Sequence, residues 1–139
     1  MEVWFESKPV NGWFNSENLN RFFADANGAS RPVVPAADMV EDAEGYLFHV
    51  EMPGLDAGSV DVRSEEEWLV IEAERKRPEL TKESEVHLAE RRYGKIRRAF
   101  RLSDDASHEG IRASYKDGVL EIRVPKRPET KPVKITVEH

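Results

Sequence analysis

Between residues 46 and 124 apolar side chains recur at every second position in short runs, and turn-forming residues separate the runs. Tyr46, Phe48, Val50 and Met52 alternate as far as Pro53-Gly54, and Val60 and Val62 alternate as far as the acidic turn Glu65-Glu66-Glu67. Leu69, Ile71 and Ala73 share one face of the next run, with Trp68 and Val70 on the other. Ile96, Phe100 and Leu102 form a further run, and Ile111, Ala113 and Tyr115 lead through Asp117-Gly118 into Leu120, Ile122 and Val124. Asp-Gly readily takes the positive φ angles of a two-residue hairpin turn, so the last two runs predict a hairpin. Short strands at this spacing predict an all-β fold, a β-sandwich of the immunoglobulin-like kind.

Three stretches break the pattern. Residues 1–34 hold Trp4, Phe5, Trp13, Phe14, Phe22 and Phe23, half of the aromatic residues, among Asn, Ser and Gly rather than in alternation. Within this arm Ser16 is placed to cap a short helix on which Leu19, Phe22, Phe23 and Ala26 share one side, stopped by Asn27-Gly28. So short a helix is marginal in water unless its apolar stripe is covered. From Glu74 to Tyr93 runs "ERKRPELTKESEVHLAERRY", too long and polar for an ordinary connection, with a weakly alternating centre at Val86, His87, Leu88 and Ala89 that predicts a small extra strand. At the end Pro125, Pro128 and Pro132 break the sheet pattern, and Val133, Ile135 and Val137 begin a new alternation with almost no chain left to pair with it. The expected layout is a partly helical aromatic arm over 1–34, a sandwich over 35–127 and an extended tail over 128–139.

Composition narrows the function. The 139 residues suit one domain with extensions, and a net charge of −6 with 35% charged residues favours a soluble protein over one whose main partner is nucleic acid. The absence of cysteine removes disulfides, thiol nucleophiles and thiolate metal sites. Glu2, Glu6 and Lys8 stand where a secretory signal would need an apolar core, so a cytoplasmic location without membrane association is expected.

No catalytic constellation emerges. His49, His87, His108 and His139 are scattered, and only His49 and Glu51 share a strand face, too few ligands for a metal. No glycine-rich phosphate loop is present, and Asp104-Asp105 reads as turn chemistry. No enzyme activity, cofactor or metal is therefore expected. The basic run Arg91 to Arg101 lacks the interleaved aromatics of a single-strand nucleic-acid groove. Its alternation puts Arg98 on the same face as Ile96, Phe100 and Leu102, where a cation needs an acidic or carbonyl partner unless it snorkels to water.

"ASYKDGVLEIRVPK", with Ala113 followed by Gly118-Val119-Leu120, resembles the signature of the small heat-shock protein (α-crystallin) family, bacterial and plant type. "VEMPGLDAGSVDV", "LVIEAERK" and "ERRYGKIRRAFRL" are similar to its other blocks in the same order, and "ITV" resembles its tail motif. Ser103 stands where the family usually has proline. The resemblance implies an α-crystallin sandwich and ATP-independent holding of unfolding client proteins. It also implies dimers made by exchanging the loop strand, and larger homo-oligomers made by docking the tail on a neighbouring dimer. On this footing Trp4, Phe5, Trp13, Phe14, Leu19, Phe22 and Phe23 are expected to bind clients. Val86 to Ala89, with Arg98, Ala37 and Met39, are expected at the dimer interface, and Val133, Ile135 and Val137 between dimers. The rival reading is a monomeric co-chaperone-like adaptor on the same sandwich, which would have no use for "KITV".

Overall fold

The structure, a computed structural model, describes residues 32–128 and 134–139. Seven strands follow in order: β1 (Ala37–Glu41), β2 (Gly45–Glu51), β3 (Asp61–Glu65), β4 (Trp68–Arg75), β5 (Gly94–Arg101), β6 (Arg112–Lys116) and β7 (Val119–Pro125). They form two antiparallel sheets, ordered β1-β2-β7-β6 and β3-β4-β5. The even-spaced apolar positions of β2, β4, β5 and β7 meet between the sheets. Phe48, Val50, Leu69, Ile71, Ile96 and Ile122 lose essentially all contact with water there, each burial contributing about 2 to 3 kcal/mol. Phe48 and Phe100 join the sheets through rings whose centroids are 4.9 Å apart and tilted by 51°.

The β6–β7 hairpin turns at Asp117 and Gly118, with φ of 54° and 77° as its sequence predicts. Gly118 is held to a residue without a side chain twice over, because a Cβ would also lie 3.2 Å from Pro53 Cα. Ala113 departs from the expected pattern: it is exposed, while its neighbours Ile111 and Tyr115 pack against the core only in part. β6 is the last strand of its sheet, so its inner face is only half covered.

The outer face of the three-stranded sheet carries a second apolar patch of Trp68, Val70 and Ala99. Beside it Arg63 bonds to Asp61, Glu65 and Glu72 at 2.6 to 2.9 Å, and Arg97 reaches Glu72 at 2.7 Å. Register places Arg63 opposite Val70 and Glu72 opposite Arg97, so the aliphatic stems of both arginines lie on the same face as the patch.

At the corner after β5, hydrogen bonds converge on Asp105. Ser103 Oγ and Tyr46 Oη each donate to Asp105 Oδ1 at 2.6 Å, and the backbone N–H of Arg127 donates to its carbonyl at 2.7 Å. The Ser103 and Tyr46 hydroxyls hold the Asp105 carboxyl below its ordinary value of 3.8. Burial, followed by the adjacent Asp105, pushes the Tyr46 phenol up to about 12. A carboxylate with a depressed folded pKa stabilises fully above its unfolded pKa and stops doing so as pH falls through the folded one. Asp105→Asn is thus expected to cost on the order of 1 kcal/mol in urea unfolding near neutral pH. The difference from the parent should shrink as pH falls below the ordinary aspartate value and through the depressed pKa of Asp105. A gap that is unchanged in acid would show that the carboxylate charge plays no part at this corner.

Candidate functional site

The sandwich is closed on one side by the segment entering it. Val33 runs parallel to Ile96, its N–H donating to Lys95 O at 2.9 Å while its own carbonyl accepts from Arg97 N–H at 3.0 Å. The chain then crosses to the other sheet, where β1 begins at Ala37. Arg98 secures this crossing: Nη1 donates to the Pro35 carbonyl at 2.6 Å, and Cζ lies 4.9 Å from the centroid of the Phe100 ring. A carbonyl partner is what a guanidinium on an apolar face requires, and burial pulls the pKa of Arg98 below the usual arginine value. Arg98 therefore ties the edge of one sheet to the segment that leads into the first strand of the other.

β1 is the terminal strand of its sheet and pairs only with β2. Ala37 and Met39 turn inward and pack partly against the core of their own chain, while Val40 is 49% exposed. What β1 offers to another molecule is its outer backbone edge and Val40, more than the Ala37 and Met39 side chains.

Loop 76–93 stands off the sandwich. Val86, His87, Leu88 and Ala89 are exposed and form no strand in the single chain, since backbone with no neighbouring strand has no ladder to join. The loop is not featureless: Thr81 and Ser84 close a small turn, with Ser84 N–H donating to Thr81 O at 3.1 Å. Leu80, Val86, Leu88 and Tyr93 line a hollow of about 200 Å³ together with Pro78 and Ala89. Leu80 had no place in the predicted extra strand; it lies too far from Val86 along the chain for alternation to link them.

In the tail, Ile135 and Val137 are 84% and 74% exposed and belong to no strand. Val133 lies outside the described residues, as do Trp4, Phe5, Trp13, Phe14, Leu19, Phe22 and Phe23 with the arm helix expected around them. The free edges of β3 and of the segment leading to β6 come together, Ser64 Oγ and His108 Nδ1 being 2.6 Å apart. Val60, Val62, Ile111 and Tyr115, half-buried, lie along these edges.

His49 does not act with Glu51. Its Nε2 lies 3.3 Å from Glu121 directly across the sheet, on β7. Among the described residues no group of three His, Asp or Glu side chains is arranged to hold a metal, and no helix is long and apolar enough to cross a membrane.

The pattern of the Hsp20/alpha crystallin family matches residues 38–138. The 18 kDa antigen 2 of Mycobacterium avium is 33% identical over 122 residues, covering 88% of this chain and 87% of that protein. The 17.3 kDa class II heat shock protein of Solanum peruvianum is 41% identical over 99 residues, covering 70% and 64% of the two chains. Among solved structures, a small heat-shock protein from Xylella fastidiosa superposes with a TM-score of 0.67 at 35% identity, covering 76% of this chain and 96% of that one.

Proposed function

The chain belongs to the Hsp20/alpha crystallin family, and from that premise we propose that it is an ATP-independent holdase of the cytoplasm, built from loop-exchanged dimers that assemble further through the tail. Chaperone-type function is the property of the family. The loop, the tail and the arm are the finer assignment.

One observation supports this reading above others. Every large apolar residue counted as exposed among those described falls on the three parts assigned to assembly. Val34 and Val40 are on or beside β1, Leu80, Val86 and Leu88 are in the loop, and Ile135 and Val137 are in the tail. A sandwich that closes its core so fully has no need of these residues for its own stability, and apolar surface held in water favours a partner. Val86 to Ala89 pair with β1 of a second copy. Ile135 and Val137 occupy the half-buried strip between β3 and β6 of a neighbouring dimer. Heated clients, which expose apolar surface, are covered by the aromatic arm while the charged exterior keeps the complex in solution.

The test is suppression of heat aggregation of a model client without ATP, followed by light scattering, for the full chain and for one lacking residues 1–31. The cut spares Val33 because its two backbone bonds complete the edge of β5. The shortened chain is expected to keep its β circular dichroism and to need a several-fold higher ratio to client for equal protection. Equal protection, mass for mass, would remove the arm from client binding. A full chain that is monomeric and does not protect would favour the adaptor.

A further inference from the structure

We propose that the outer face of the β3-β4-β5 sheet is the resting seat of the chain's own arm, with the apolar stripe Leu19, Phe22 and Phe23 laid over Trp68, Val70 and Ala99. Trp68 and Val70 project from β4 and Ala99 from β5 on the side away from the core, where they form a cluster of their own. The outward face of an antiparallel sheet ordinarily stays in water. Here only 5% of Trp68, 1% of Val70 and 5% of Ala99 is exposed. Trp68 stands between Glu65 and Arg101, and both of these reach well into solvent, which makes them a poor roof for an indole. Val70 stands between Arg63 and Ala99, and Arg63 commits its guanidinium to Asp61, Glu65 and Glu72, so its stem flanks Val70 from one side. Among the described residues the cluster holds no fourth apolar side chain. A face so dry with so little over it calls for an apolar layer.

The arm is placed to supply that layer. It joins the fold at this sheet, because Val33 runs parallel to β5 beside Ile96. The chain before Val33 therefore comes from the Gly94 end of β5, and the turn pair Asn27-Gly28 can send the preceding stretch back toward Ala99. Distance is no obstacle: the ten residues from Phe23 to Val33 can span up to about 33 Å, while Ala99 and the Trp68-Arg101 pair lie only about 10 to 17 Å along β5 from Ile96. The chemistry fits as well, since aromatic rings pack favourably against an indole and the marginal arm helix needs its stripe covered. Seated in this way, the arm and the Trp68 patch hide each other. A client, or heat acting on so short a helix, then uncovers both surfaces at once. That consequence rests on the holdase reading; the seat itself does not.

Trp4→Phe with Trp13→Phe leaves Trp68 as the single tryptophan, so its fluorescence reports on the seat alone. In the full chain its emission is expected to be blue-shifted and poorly quenched by acrylamide. Changing Leu19, Phe22 and Phe23 to serine in that background should raise quenching several-fold and shift emission to the red while β circular dichroism is kept, and deleting residues 1–31 should do the same. Unchanged quenching in both variants would mean that the arginine stems cover the indole, and would overturn the seat. Asp25→Cys combined with Arg101→Cys, in a chain that otherwise has no cysteine, tests whose arm it is. A short bismaleimide is expected to give a single chain bridged to itself, read by mass. Bridged pairs of chains would put a neighbour's arm on this face, and no bridge would leave it without one; either result overturns the proposal. None of these readouts uses client protection, so the seat and the holdase reading fail separately.

Discussion

Changing Ile135 and Val137 together to serine is expected to reduce the assembly to dimers while the sandwich keeps its β circular dichroism. The two side chains lie two residues apart, so in an extended strand they face the same way and enter one surface together. They are 84% and 74% exposed, and nothing in their own sandwich loses a contact when they change. Docked in a groove, each contributes roughly 1.5 to 3 kcal/mol. One tail is therefore too weak to hold two free molecules against the entropy of association. A dimer with two tails and two grooves changes the balance, because each later contact forms at the high effective concentration set by the first. Losing both anchors from every tail removes the effect throughout the assembly, so the expected change is a step in subunit number. An unchanged oligomer by light scattering, or a parent chain that is only a dimer, would overturn the role of the tail.

Replacing residues 78–90 with a short glycine-serine connector is expected to convert the dimer to a monomer. The sandwich should survive, because β4 and β5 are antiparallel neighbours whose ends meet at Arg75 and Gly94, so a short connector closes the hairpin without strain. The replacement removes Leu80, Val86 and Leu88, which are 61%, 57% and 76% exposed in the single chain. It also removes the backbone that would pair with the edge of β1. Burying three such side chains twice over, once for each half of a symmetric pair, is on the order of 10 kcal/mol of apolar stabilisation before ordering costs. Light scattering below the concentration at which tails associate would check this, and a persistent dimer would mean that β1 or the arm holds the pair without the loop.

Much of the sandwich was legible before any coordinates. β2, β4, β5 and β7 are buried by one face or both, and a period of two survives in such strands wherever the core demands it. β1 was harder, because "ADMVE" has Met39 beside Val40 with no alternation around them, as befits an edge strand with one side chain in and the next out. The loop was legible as an anomaly of length and polarity, but Leu80 was not, since a turn at Thr81 and Ser84 brings it toward Val86 and Leu88. The need for a partner at Arg98 followed from alternation alone. That its partner is the carbonyl of Pro35, 63 residues away in the chain, did not.

By itself the sequence determined most strands of the sandwich, the turn of its last hairpin and which family the chain resembles, because these rest on local preferences and on the two-residue period. The tertiary structure decided what meets across the fold. It brought Asp105 to Tyr46, put His49 across the sheet from Glu121, and set Arg75 and Arg91 against the bare backbone of Gly54. Those meetings depend on how two twisted sheets close on each other and where a loop's ends return. No period along a single chain records such a distance, because the residues that share a site are placed by the packing of whole strands and not by their neighbours in sequence.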